Sequence, residues 1–173
     1  MFGNWLNRAA TVREAAGAEE LEGAIRAELA AADEETLLVV TAIVGLLGAV
    51  AYADGNFAPE EQARVREELS RIHGMTAQGI HAVCSALVRN IVEIATVEVP
   101  HYARVLRELG DQELRLDVLD MLVALAAADE VITNAETNVM RQITTSLGLT
   151  QRDYNAAQSK YKDRLAVLRS ETT

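Results

Sequence analysis

The sequence repeats itself, and that limits the folds open to it more than any other feature. Displaced by 75 positions, Leu47 falls on Leu122, Ala49 on Ala124, Ala51 on Ala126, Ala53 on Ala128, Asp54 on Asp129, Glu61 on Glu136 and Arg66 on Arg141. The alanine matches carry little weight in so alanine-rich a chain; the charged matches and the apolar pattern carry more. Val50 answers Leu125, Phe57 answers Ile132 and Val65 answers Met140. One column out of register, Gly74, Met75 and Thr76 answer Gly148, Leu149 and Thr150. Each unit reads helix, acidic turn, helix, glycine stop, helix. One such unit cannot bury its apolar face alone, whereas two packed about a pseudo-two-fold axis can.

Helical periodicity supports each piece. Val65, Leu69 and Ile72 recur on one face, as do Met140, Ile143 and Leu147. Gly74 and Gly148 stand where glycine ends a helix, and Thr76 and Thr150 where threonine starts the next. Ile80, Cys84, Leu87, Ile91 and Ile94 form one stripe; Tyr154, Tyr161, Leu165 and Leu168 form another. Pro100 opens a short connecting helix that Gly110 closes. Leu21, Ala24, Ile25 and Leu29 mark a weaker helix over about 19–32. With only two prolines and half its residues apolar, the chain reads as all-α: a single compact bundle of about seven to eight helices with internal pseudo-two-fold duplication. The expected division is an N-terminal amphipathic segment, 1–17, and a helical domain, 18–173. Its repeats run over about 36–98 and 111–170.

Charge and composition narrow the function. A net charge of −10 repels phosphate backbones, which argues against nucleic acid. The segment from Arg152 to Arg169 is basic against acidic residues 1–35, a mixed surface suited to protein partners or cations. The single cysteine, Cys84, precludes an intrachain disulfide and fits a reducing compartment. Residues 1–8 lack the apolar core of a signal peptide. The uncharged run Leu37 to Ala53 approaches membrane-span length, but its glycines, its acidic flanks and its charged repeat partner point to a buried central helix. Phe2, Trp5, Leu6, Ala9 and Val12 share one helical face, expected to pack back on the bundle rather than lie on a membrane.

The candidate site is the pair of acidic turns, Ala53 to Glu61 and Ala128 to Glu136. In each, an acid ends one helix and a second stands seven residues on, in the first turn of the next. Two readings are open. Thr133 to Glu136 spells a capping box, Pro59 is a typical first helical residue placing Glu61 at the third position, and Asp54-Gly55 suits a helix-ending turn. Yet an acid at a helix C-terminus opposes the dipole at a cost of about 0.3–1 kcal/mol, and here it occurs twice. The following helix N-terminus, Arg66 or Arg141, or a bound cation would compensate. Oxygen-only ligands suit Ca²⁺, Mg²⁺ or Mn²⁺ more than Zn²⁺. An EF-hand is excluded, since counting from Asp54 its sixth and twelfth positions are Pro59 and Val65.

The turn Ala53-Asp54-Gly55-Asn56-Phe57 with Glu60-Glu61, repeated about 75 residues on, resembles the TerB family of bacterial tellurite-resistance proteins. Related domains occur in membrane-anchored DnaJ-like co-chaperones. The resemblance covers about residues 35–160. It implies an all-helical, internally symmetric domain with an acidic surface cluster and no established catalysis. Such proteins work beside a membrane protein and calcium-binding partners in responses to tellurite, phage and colicins. The acids proposed for metal contact map onto Asp54, Glu61, Asp129 and Glu136, with Asn56, Glu60 and Glu130 behind them. Glu130 replaces Gly55 in the second copy and takes positive φ less easily, so the second turn is expected to differ in shape.

Rival chemistry is thin. Cys84 lies on an apolar stripe, which makes it a core residue; His81 stands three positions before it, and His73 and His101 are not placed by spacing. Glu98 and His101 have di-iron spacing, but Pro100 lies between them. No Walker loop, nucleophile elbow or dinucleotide fingerprint occurs. The expectation is a non-enzymatic adaptor in tellurite or stress response, with a divalent-cation site in the paired turns. It would lie in the cytoplasm or at the inner face of the membrane, joined to a protein complex and not spanning. The alternative is a metal-free helical interaction scaffold, and a distant third is a hydrolase using the acids as metal ligands.

Overall fold

The computed structural model describes residues 16–127 and 132–171, with side chains for 17–127 and 132–162. The N-terminal face of Phe2, Trp5, Leu6, Ala9 and Val12 lies outside them, as do the side chains of Leu165 and Leu168. Among the described residues eight α-helices follow in order: α1 (Ala16–Glu28), α2 (Glu34–Ala51), α3 (Pro59–Ser70), α4 (Ala77–Glu93), α5 (Val99–Leu109), α6 (Gln112–Ala126), α7 (Asn134–Ser146) and α8 (Gln151–Glu171). A π-helical turn, Ile94–Glu98, joins α4 to α5. No strand occurs among the described residues.

The uncharged run becomes α2, the helix around which the others pack. Asp33 caps it by accepting the Thr36 N–H at 2.8 Å, and Glu34 and Glu35 complement the dipole. Leu37, Val40, Val44, Leu46, Leu47 and Val50 are all buried, so its faces are apolar on every side. It contacts α1, α3, α5, α6, α7 and the π turn. By length and composition both Glu34–Ala51 and Ala77–Leu109 could cross a membrane; most of the first is buried within the bundle.

The second repeat superimposes on the first in its punctuation. Helix α2 ends at Ala51 and α6 at Ala126, while the caps of α3 and α7 are Ala58 and Thr133, each pair in the same column of the repeat. Gly74 and Gly148 both take positive φ, +93° and +72°, the left-handed geometry that closes a helix. Thr76 then accepts the Gly79 N–H, and Thr150 and Asp153 exchange hydrogen bonds at the start of α8. The charges on α6 face outward, where Asp120 pairs with Lys160 at 2.6 Å.

One helix departs from the sequence reading. Helix α1 covers Ala16–Glu28 rather than about 19–32, and its earlier stop leaves room for the turn that brings Asp33 into the extended conformation capping α2. Pro100 stands in the first turn of α5 and Gly110 caps its end, as the sequence reading has it, while α4 runs into α5 through the π turn without a loop. A proline lacks its N–H and clashes with the carbonyl four residues back; widening the preceding turn relieves both.

Candidate functional site

The first acidic turn is built locally. Helix α2 ends at Ala51, and Gly55 adopts φ +84° just beyond it. The exposed Asp54 carboxylate accepts the Asn56 N–H at 2.8 Å. That bond offsets the helix-end penalty which the sequence left open. Asn56 and Glu60 are exposed. Asp129 and Glu130 lie outside the described residues.

The two glutamates behave differently although they occupy the same column. In α7 the capping box is complete: Glu136 accepts the Thr133 N–H at 2.7 Å, and the Thr133 hydroxyl accepts the Glu136 N–H at 3.2 Å. In α3 the cap position is Ala58, which has no side-chain acceptor, so no box forms. Glu61 is left with a buried Oε2 that has no hydrogen-bonding partner among the described residues. Such an oxygen is costly unless something meets it.

The fold brings these two side chains together. Glu61 and Glu136 line one small pocket with Arg64, Val50, Ala51, Leu125 and Ala126. Its volume is about 10 Å³, room for one water-sized guest. Its floor is the C-terminal end of α2 and of α6, where partial negative charge gathers. Two carboxylates and two helix C-termini thus face one guanidinium, that of Arg64, which has interactions of its own. Asp54 does not line the pocket. Among the described residues, no three His, Cys, Asp or Glu side chains gather closely enough to hold a metal ion by themselves.

Arg66 and Arg141, the compensators suggested by the repeat, act on the third helix of their own repeats. Arg66 stands by the Cys84 thiol, which burial nevertheless pushes up. Arg141 acts on the Tyr154 hydroxyl. Cys84 is 2% exposed and part of the core, as its stripe implies. His81 and His101 are exposed, and His101 contacts Arg104. Partial desolvation of its ring, then the positive charge of Arg104, holds the His101 imidazole below its ordinary range.

A family model described as tellurite resistance protein TerB matches residues 40–159. The chain belongs to the TerB family. The matched span runs from the middle of α2 into α8, so it takes in both repeats and both acidic turns. No curated protein and no solved structure matches the chain. The TerB assignment therefore carries the all-α fold and a tellurite-resistance relationship. The sequence reading missed Arg64 as a pocket residue, because its repeat partner is Val139. Only the asymmetry of Ala58 against Thr133 could have signalled that Glu61 and Glu136 differ.

Proposed function

We propose that the protein is a non-enzymatic adaptor of the tellurite and stress response that binds one divalent cation where its two repeats meet. One observation carries this reading: Glu61, with a buried unpartnered oxygen, shares a pocket with Glu136 at the C-terminal ends of α2 and α6. The donors are all oxygens, which favours Ca²⁺, Mg²⁺ or Mn²⁺ over Zn²⁺. Glu61 would supply the ligand oxygen, and Glu136 would contribute charge and its remaining lone pairs. Asp54 and Asp129 are the acids to which the family resemblance adds the same role.

A metal-free interaction scaffold is the second reading. It is favoured by the completed capping box at Glu136 and the local bond at Asp54, which account for both acids without an ion. Thermal unfolding of chelator-stripped protein separates the two, with Ca²⁺, Mg²⁺ and Mn²⁺ titrated singly against Glu61→Gln. A site filled at about 100 times its dissociation constant adds about 2.7 kcal/mol. Stabilisation by one ion, absent in Glu61→Gln, supports the adaptor with its cation. No stabilisation by any ion leaves the scaffold.

A further inference from the structure

The two halves of the chain order their helices alike, but the last helix of each half is covered differently. In the first half α1 precedes α2 and lies over both α2 and α4. Leu21 and Ile25 of α1 are fully buried. Glu20 accepts from Arg89 Nε at 2.7 Å and from Asn90 Nδ2 at 2.6 Å, both on α4. Helix α5 precedes α6 in the same way, yet it does not return to α8. Because α4 continues into it through the π turn, α5 stays with the first half and packs on α2, with α7 beside it. Among the described residues α8 packs chiefly on α6 and α7 and has no counterpart of α1.

An open groove takes that place. A cavity of about 250 Å³ lies between Val123 and Ala127 from α6 and its end, Ile132 and Thr137 about the start of α7, and Tyr161 and Lys162 of α8. Tyr161 also walls a smaller cleft of about 30 Å³, against Asp120, Ala124, Ala157 and Lys160. The polar groups of the cavity are turned to their own neighbours. Tyr161 donates to the Ala127 carbonyl at 2.7 Å, Thr137 to the Thr133 carbonyl at 2.9 Å, and Gln158 to the Tyr154 hydroxyl at 3.0 Å. Val123, Ala127 and Ile132 therefore offer apolar surface to an occupant. At the rim Lys160 is held by Asp120 at 2.6 Å, whereas Lys162 is exposed with no ion pair among the described residues.

Size and charge select the occupant. The cavity holds the liquid volume of about eight waters, below the ~300–1,000 Å³ of small-molecule sites, so it suits one anchoring side chain of a protein. The free lysine favours an acidic partner. A second copy carries the same net charge of −10, and mutual repulsion opposes it. We propose that this groove docks an acidic amphipathic helix of a partner protein. An aliphatic anchor enters the cavity and a carboxylate meets Lys162, covering the second half as α1 covers the first. This rests on the adaptor reading, for which it names the partner's chemistry, and is independent of the cation pocket.

The probe is a labelled synthetic peptide of residues 16–33, an acidic amphipathic helix of the required pattern, titrated into the full chain by fluorescence anisotropy. It should bind, and added salt should weaken it. Lys162→Glu should weaken binding about three- to tenfold, as loss and reversal of an exposed charge contact. Thr137→Phe should fill the cavity and abolish binding, with folding checked by circular dichroism. Arg89→Gln, on α4, should leave binding unchanged. No binding, or binding kept in both Lys162→Glu and Thr137→Phe, overturns the proposal. So does loss in Arg89→Gln with retention in Lys162→Glu, since the peptide would then be exchanging with α1 on α4. Equal binding of a peptide with every acid replaced by lysine also overturns it. Self-association in sedimentation that Thr137→Phe abolishes would make a second copy the occupant, and overturns it too. Peptide binding kept in Glu61→Gln, with no ion stabilising the protein, would sink the cation pocket and support the docking groove. No peptide binding beside a clear ion effect would sink the groove alone.

Discussion

Replacing Gly45 with alanine sets two known effects against each other, and the structure decides which wins. Alanine in a helix interior is worth about 0.5–1 kcal/mol over glycine, so propensity alone predicts a more stable protein. At Gly45, however, a Cβ would lie 2.2, 2.5 and 2.7 Å from Cε2, Cδ2 and Cζ of Tyr102. Ordinary carbon contacts are about 3.5–4.0 Å, so the ring must move by more than about 1 Å. Tyr102 is fully buried between α2 and α5 and has little room to do so. Overpacking of this kind costs about 1–3 kcal/mol, and the close approach to three rigid ring atoms places this case at the upper end. Set against the propensity gain, the net expectation is a loss of about 2 kcal/mol. Gly23 is the matched control: it lies in α1, is exposed, and a Cβ there meets nothing within 4 Å. Gly23→Ala should therefore stabilise by about 0.5–1 kcal/mol. Urea unfolding of both variants gives the comparison, and Gly45→Ala/Tyr102→Leu should recover part of the loss. Were Gly45→Ala to stabilise as much as Gly23→Ala, the argument that glycine here admits the Tyr102 ring would be wrong.

Other consequences follow from single contacts. Thr133→Ala removes the α7 cap and should cost about 1 kcal/mol in urea unfolding; Ala58→Thr at the equivalent column of α3 should gain a similar amount by completing the missing box. Leu47→Ala, at a fully buried position of α2, should lose about 2–5 kcal/mol. Asp33, Glu28 and Asp153 accept bonds that hold their carboxyls below the ordinary range. Their stabilisation is present above the unfolded-state values and lost as pH falls through the lower folded values, so the melting temperature should drop on acidification through that window; Glu28→Gln should flatten the drop. The buried Cys84 thiol should react with a disulfide reagent only as fast as the protein opens, and a fast native-state reaction would contradict its place in the core.

The sequence by itself determined the elements and their punctuation. Apolar periodicity gave the helices, and Gly74, Gly148, Thr76 and Thr133 marked their ends, because caps and left-handed turns depend on residues near one another in the chain. The repeat likewise announced that α2 and α6 are counterparts, and the uncharged run announced that α2 is central. Local chemistry fails where the answer depends on distant partners. The repeat treats Glu61 and Glu136 as equals, yet one closes a capping box and the other leaves an oxygen buried, because the residue three positions before each differs. That both line one pocket, and that Arg64 joins them while Arg66 turns to Cys84, are tertiary outcomes. They depend on which helix faces meet, and a pattern of period 3.6 says which side of a helix is apolar but not which neighbour will cover it.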